Sequence, residues 1–259
     1  MTAFEAMLLG LVQGLTEFLP VSSSGHLALG QAILDIQTED VTFEIIVHFG
    51  TLLAVITALR ERIVDLAVGC LRRDQRAWYM IFLLGVGTVP AAVLGVFFKD
   101  LLEAAFNSPM AVSGFLIVTG GILWSTRFTK GERQEITLLD AVLMGCSQAL
   151  AVLPGISRSG STISMGLWRG LDGREAATFS FLLSIPIILG ATALQVVDML
   201  EHPLEPGALW TLIIGALVAY VSGVFAIRWL LGLLSGGRFA QFAYYCWLAG
   251  LIGVFYFGG

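Results

Sequence analysis

Charged and hydroxyl-bearing side chains interrupt two otherwise apolar stretches of this 259-residue sequence. The first stretch carries Glu17, a run of three serines and His26, and the second carries Arg158 between two serines. A guanidinium group matches phosphate oxygens in bidentate fashion, histidine exchanges protons near neutral pH, and a serine beside a base can become a nucleophile. Together, these residue types indicate a site that binds a phosphate group and acts on it.

The segment from Pro154 to Thr162 has the composition of a phosphate cradle. Its glycines permit close approach of the backbone, its hydroxyl groups can form hydrogen bonds, and the helix that follows presents free N–H groups. We expect substrate to be bound here by Gly155, Ser157, Ser159, Gly160 and Thr162. An alternative is that Arg158 forms an ion pair with Glu17 and only locks the two stretches together.

In the first stretch, Gln13 lies one helical turn before Glu17, so both side chains face the same way. We expect Gln13, Ser22 and Ser24 to bind substrate as well. Glu17 is a candidate ligand for a divalent cation, because Mg²⁺ or Ca²⁺ often binds through one carboxylate together with substrate phosphates. An isolated His26 would more often be a buried structural histidine, but its place in one of two similar stretches, the other of which carries Arg158, favours a functional role.

The composition places these polar stretches in a membrane. Apolar residues make up 57% of the chain and charged residues only 13%, whereas soluble domains are nearer one quarter charged. The net charge of −5, without a basic tract, excludes nucleic acid as a partner. Three cysteines without motif spacing support neither a disulfide framework nor a zinc site.

Six segments reach the length of about 20 residues that a spanning helix needs. They are Val41–Leu59, Ala77–Phe98, Ala104–Thr126, Ala176–Val197, Pro206–Ile227 and Phe239–Gly259. The first of them carries Glu44 and His48 one turn apart, which we expect to pair with each other. The two polar-interrupted regions, about 4–34 and 138–168, instead predict re-entrant hairpins, each with two half-helices and a polar tip. Two full crossings in place of the hairpins remain an alternative.

The basic residues orient the chain. With six spans and two hairpins, twelve of the 14 lysines and arginines fall on one side, which the positive-inside rule makes cytoplasmic. The cytoplasmic side includes the loop from Arg60 to Arg76, whereas Lys99 falls outside and Arg158 lies within the membrane. Both termini are then expected outside.

The two interrupted regions also repeat each other. Gln13, Ser22, Ser24 and Gly25 correspond to Gln148, Ser157, Ser159 and Gly160, each 135 positions further on. Each half then holds one hairpin and three spans, and this odd number inverts the second half. The sequence therefore predicts an all-α polytopic membrane protein with an inverted-topology repeat of residues 1–127 and 128–259. In such folds the broken helices meet near the midplane and face anionic ligands.

These motifs resemble the undecaprenyl-pyrophosphate phosphatase family, whose bacterial members confer bacitracin resistance when overproduced. The segment from Gln13 to Glu17 corresponds to the family's Glu/Gln-x-x-x-Glu motif, and Pro154 to Thr162 to its Pro-Gly-x-Ser-Arg-Ser-x-x-Thr motif. The segment from Pro20 to His26 also matches, and the resemblance covers essentially the whole chain. Glutamine at position 13 is an allowed variant that weakens any two-carboxylate metal site.

The resemblance implies hydrolysis of undecaprenyl pyrophosphate to undecaprenyl phosphate and inorganic phosphate, which recycles the lipid carrier for peptidoglycan synthesis. It implies a bacterial cytoplasmic (inner) membrane location and catalytic roles for Glu17, Ser23, His26 and Arg158. In the expected mechanism Ser23 attacks phosphorus and His26 relays protons, while direct attack by water is the competing version. A lipid-phosphate flippase or secondary transporter is the alternative function, and an anion channel is a further one. The expected partners are a polyprenyl pyrophosphate lipid, membrane lipids and, as an open question, a second copy of the chain in a homodimer.

Overall fold

The computed structural model of the chain describes residues 1–34, 42–97, 108–201 and 208–258. Most of these residues are helical, with two short 3₁₀ turns at Thr126–Phe128 and Phe239–Gln241. The helices are α1 (Ala3–Phe18), α2 (Ser23–Leu34), α3 (Thr42–Ala58), α4 (Arg60–Leu71), α5 (Gln75–Phe97), α6 (Pro109–Ser125), α7 (Leu138–Leu150), α8 (Arg158–Trp168), α9 (Gly173–Glu201), α10 (Ala208–Ser235) and α11 (Phe242–Phe257). The predicted all-α class is therefore confirmed.

Four helical segments of the described chain are long and apolar enough to cross a membrane. They are Gln75–Gly95, Pro109–Phe128, Leu209–Ser235 and Phe239–Phe257. A fifth candidate combines α3 with α4, which are bent by 75° where they join. These segments overlap five of the six predicted spans, and the sixth, Ala176–Val197, lies within α9. The stretch Arg60–Leu71, expected from the sequence to be part of a cytoplasmic loop, is helical. Lys99 and the predicted span ends at residues 41, 98, 104–107, 206–207 and 259 fall outside the described residues.

Both polar-interrupted regions fold as two helices separated by a short break. The breaks are Leu19–Ser22 between α1 and α2, and residues 151–157 between α7 and α8. The first helices of the two pairs begin 135 positions apart, at Ala3 and Leu138, and so do the second helices, at Ser23 and Arg158. Each first helix also begins with a capping box, from Thr2 and Glu5 in α1 and from Thr137 and Asp140 in α7.

Small residues bring these broken helices close to long helices from the other half of the chain. Gly10 of α1 lies against the backbone of Gly215 in α10, and Gly145 of α7 lies against Gly87 in α5. A Cβ atom at Gly145 would stand 2.8 Å from the Gly87 Cα atom. Lipid tails give no hydrophobic driving force for helix association, so close backbone approach at small residues takes its place.

An ion cluster closes the base of the second broken segment. The fully buried Asp140 carboxylate, in the first turn of α7, is 2.7 Å from Arg133 Nη1 and 3.0 Å from Arg169 Nε. Arg133 lies in the hydrophilic linker, and Arg169 ends α8. The start of α7 and the end of α8 are therefore held together by one carboxylate. The break between α7 and α8 lies at the opposite end of this helix pair.

The glycine contact between α5 and α7 predicts a specific sensitivity to side-chain size. We expect Gly145→Val to lower the free energy of unfolding by about 1–3 kcal/mol, because its side chain would overlap the α5 backbone. Gly121→Ala is the matched control, since a Cβ atom at Gly121 meets nothing within 4 Å. Thermal unfolding in detergent micelles measures both variants, and equal melting temperatures would contradict this close approach.

Candidate active site

The two breaks lie against each other. The Gly155 N–H donates to Ser22 Oγ at 3.1 Å, and Ser159 Oγ donates to the Leu19 main-chain oxygen at 3.1 Å. Gly155 has a positive φ of 96°, and a Cβ atom there would collide with the main-chain oxygen of Val112. Glycine is therefore required at this tip for both its conformation and its packing.

Serine hydroxyls organise each tip from within. Ser157 Oγ caps α8 by accepting from the Gly160 N–H at 3.0 Å, and Ser22 Oγ accepts from the Gly25 N–H at 3.3 Å. Both serines are almost fully buried. Because each hydroxyl satisfies a free N–H group at a helix start, these two predicted substrate-binding residues shape the tips in this structure.

The Glu17 carboxylate is the hub of the polar residues at the meeting point. Its Oε1 atom accepts from Arg158 Nη2 at 2.8 Å, and its Oε2 atom accepts from Ser23 Oγ at 2.6 Å. Gln13 Nε2 donates to the same Oε2 atom at 3.1 Å. The ion pair that the sequence analysis left as an alternative is thus present. The same carboxylate also binds a hydroxyl group, so a cation and a hydroxyl meet at one acid.

His48 is a fourth neighbour of this carboxylate. Its Nε2 atom lies 3.7 Å from Glu17 Oε2, and its Nδ1 atom lies 2.6 Å from the main-chain oxygen of Glu44. The sequence predicts that His48 pairs with Glu44 along α3, and a contact with the Glu44 main chain is present, but the approach to Glu17 was not predicted. The missing information was the packing of α3 beside α1, which periodicity within one helix does not contain.

A cavity of about 350 Å³ opens beside Glu17. One part of its lining is polar, with Glu17, Ser23, Ser24, His48 and Arg158. Another part is mainly apolar and comes from α5 and α9, with Ala91, Gly95, Ile187 and Ile188. The volume is within the range of small-molecule sites, and the lining fits a ligand with an anionic head and an apolar remainder.

The sequence of this chain is similar to those of known proteins along nearly its whole length. The family described as bacitracin resistance protein BacA matches residues 6–252. The chain belongs to this family. The undecaprenyl-diphosphatase of Alkaliphilus metalliredigens is 43% identical over 97% of this chain and 98% of that protein. Proteins of the same name from Halothermothrix orenii and Carboxydothermus hydrogenoformans are 40% and 43% identical, each over 97% of this chain. These alignments cover 97% and 96% of the two relatives.

Four of the residues predicted for this BacA-family site line the cavity: Glu17, Ser23, Ser24 and Arg158. Other predicted site residues, including Thr162 and Gly160, hold the tips together. Thr162 Oγ1 hydrogen-bonds with Arg158 O at 2.8 Å and with Ser180 Oγ at 2.6 Å. Gly160 lies under the cap of α8, and a Cβ atom there would stand 2.9 Å from the Ser157 Cβ atom.

His26 lies on another side of α2 and does not belong to the cavity lining formed by the described residues. Its Nδ1 atom is 2.8 Å from the Ser22 main-chain oxygen, and its Nε2 atom is 2.7 Å from the Tyr245 hydroxyl. The two rings also stack, with centroids 5.5 Å apart. Since both ring nitrogens have partners, His26 fastens the first tip to α11 in this BacA-family protein.

The Glu17–Arg158 pair predicts a stability coupling that a double-mutant cycle can measure. We expect Glu17→Gln or Arg158→Met alone to lower the free energy of unfolding by about 3 kcal/mol, because each leaves a buried charge unpaired. The double variant should recover much of that loss.

Exposed Arg174 provides the control for this cycle, and Arg174→Met should change stability by less than about 0.5 kcal/mol. Additive losses in the double variant, measured by thermal unfolding in detergent, would show that the two charges are not coupled.

Proposed function

We propose that this protein hydrolyses undecaprenyl pyrophosphate to undecaprenyl phosphate and inorganic phosphate, which recycles the lipid carrier for peptidoglycan synthesis and gives bacitracin resistance. The observation that carries the proposal is the shared carboxylate: Glu17 binds both the Arg158 guanidinium and the Ser23 hydroxyl at the edge of a cavity with an apolar wall. The names of the relatives support the same substrate.

Arg158 supplies positive charge where the reaction needs it. Its guanidinium has five N–H donors and uses two of its nitrogens on Glu17 and, at 3.4 Å, on the Ser180 main-chain oxygen. The remaining donors can bind the oxygens of the terminal phosphate, on which charge is spread as the phosphoryl group is transferred. The positive end of α8, which begins at Arg158, acts in the same direction.

Ser23 is the proposed nucleophile. Its Oγ atom forms a bond to the terminal phosphorus as the bond from that phosphorus to the bridging oxygen breaks, so undecaprenyl phosphate leaves. Glu17 Oε2, 2.6 Å from Ser23 Oγ, accepts the hydroxyl proton. Water then hydrolyses the phosphoserine and releases inorganic phosphate. In the competing version water attacks phosphorus directly and Ser23 only donates a hydrogen bond.

His26 is assigned to positioning in this scheme. Through the Ser22 main-chain oxygen it fixes the turn that immediately precedes Ser23. The proton relay expected from the sequence would require the ring to leave Tyr245 and turn toward Ser23.

A divalent cation, Mg²⁺ or Ca²⁺, is proposed to bind together with the pyrophosphate. No group of three or more His, Cys, Asp or Glu side chains in the described ranges could hold a metal ion. Glu17 nevertheless offers carboxylate oxygens, and the buried Gln13 Oε1 atom has no hydrogen-bond partner among the described residues. These hard oxygens fit a cation whose other ligands are phosphates and water, and such a cation would neutralise phosphate charge.

We further propose that the halves 1–127 and 128–259 form an inverted-topology repeat, with re-entrant hairpins near 4–34 and 138–168. Both termini would then lie on the outer side of the cytoplasmic membrane. The packing supports this arrangement, because α1 of the first half lies on α10 of the second, while α7 of the second lies on α5 of the first. The equivalent glycines Gly10 and Gly145 make the two contacts. This exchange is what a two-fold relation between halves produces.

A flippase or secondary transporter is the second candidate function, because paired broken helices are common at transport sites. A phosphate-release assay in detergent separates the two, since transport needs two compartments and hydrolysis does not. We expect purified wild-type protein to release phosphate from undecaprenyl pyrophosphate in micelles. Absence of release under conditions where the protein binds this lipid would favour transport.

Arg158→Ala should reduce phosphate release at least about 100-fold, because the transferred charge loses its main stabilising cation. The variant should remain folded, although less stable, as judged by size-exclusion chromatography. Arg174→Ala, which removes an exposed arginine, should retain wild-type release. Near-normal turnover by Arg158→Ala would overturn the role assigned to this residue.

The nucleophile assignment predicts a phosphoserine at position 23 in enzyme that is acid-quenched during turnover, detected by mass spectrometry of peptides. Ser23→Ala should lose activity and the modification together, whereas Ser161→Ala should keep both. An active Ser23→Ala enzyme would establish direct attack by water.

A further inference from the structure

Gln148 is a buried amide that lines the cavity. Its side chain is 3% exposed, and neither its nitrogen nor its oxygen has a hydrogen-bond partner among the described residues. Its counterpart 135 positions earlier, Gln13, donates to Glu17. The two equivalent glutamines thus differ, because one is used inside the protein and the other is left available on the cavity wall.

An unused amide in this position indicates a ligand contact. Buried polar groups in native proteins nearly always have partners, because leaving one unpaired costs free energy. A methionine or leucine would fill the same volume without that cost. Since the amide lines the same cavity as Arg158 and Ser23, its partner is expected to be the molecule that occupies the cavity.

The position of Gln148 on α7 indicates which part of the ligand it meets. Gly145, three residues earlier, lies against Gly87 of α5. The same helix α5 supplies Ala91 and Gly95 to the apolar part of the cavity. Gln148 is therefore on the side of the apolar wall, whereas Arg158 and Ser23 belong to the polar part that takes the reacting phosphate.

We propose that Gln148 binds the phosphate that stays on the lipid, through its amide N–H groups and a non-bridging phosphate oxygen. This inference rests on the proposed hydrolysis of a polyprenyl pyrophosphate. The internal phosphate of such a substrate carries one negative charge and the terminal phosphate up to two, so a neutral amide suits the first and a guanidinium the second. The product, a lipid monophosphate, keeps the same contact.

The test uses Gln148→Met, which keeps the length of the side chain and removes its hydrogen bonds. With farnesyl pyrophosphate as a short-chain substrate, we expect KM to rise about tenfold, as the loss of one ligand hydrogen bond predicts. The inhibition constant of farnesyl phosphate should rise by a similar factor, while that of inorganic phosphate stays unchanged. Gln148→Glu should weaken binding further, because its carboxylate repels the phosphate.

Thermal unfolding of the ligand-free protein separates this role from a structural one. Gln148→Met should melt at or above the wild-type temperature, since it removes an unpaired polar group. Ser161→Ala is the matched control, because it removes another buried polar group that has no hydrogen-bond partner among the described residues and that is not part of the cavity lining. It should leave KM and both inhibition constants unchanged.

The outcomes against the proposal are distinct. An unchanged KM and an unchanged farnesyl phosphate inhibition constant in Gln148→Met would overturn it. A melting temperature below that of the wild type would overturn it as well, because it would show a structural role for the side chain. If wild-type protein releases no phosphate, the proposed hydrolysis is wrong. The shift in melting temperature caused by farnesyl phosphate then tests whether Gln148 contacts the lipid phosphate. Gln148→Met must weaken that shift for the contact to stand.

Discussion

The pairing of Glu17 with Arg158 is the constraint on which the centre of this protein depends. Neither charge can be buried at membrane depth alone, because the desolvation of a single ion is far more costly than that of a close pair. The two residues lie 141 positions apart, in different broken helices. Pairing them therefore requires the two breaks to meet, and the hydrogen bonds between the tips hold that meeting point in place.

The helices around the Glu17–Arg158 pair must associate in lipid without a hydrophobic driving force. Gly10 and Gly145 let the broken helices lie directly on the backbones of α10 and α5. Contacts of this kind fix the depth and rotation of α1 and α7, and with them the positions of Glu17 and Gln148. The site is thus placed by close backbone packing at residues that carry no chemistry themselves.

The sequence predicted the local features well, because they have local causes. Both broken regions, their 135-position spacing and five apolar segments follow from hydropathy and motif spacing. The Glu17–Arg158 pair was the alternative that the cost of an isolated intramembrane charge suggested. Residues whose roles depend on neighbours from distant helices were missed or placed differently. His48 reaches Glu17 only because α3 packs beside α1, and His26 meets Tyr245, 219 positions away. The capping roles of Ser22 and Ser157 required the exact break, and Gln148 required the cavity.

The equivalence of the two helix starts has a consequence for symmetry. Ser23 and Arg158 occupy the same position in their respective copies, yet both donate to the one carboxylate of Glu17. The residue that corresponds to Glu17 in the second copy is Val152. Two identical halves would therefore present either two anions or none, and the same group at both helix starts. A hydroxyl and a guanidinium converge on one carboxylate here because the two helix starts carry different residues, so two identical copies of either half would not reproduce this centre.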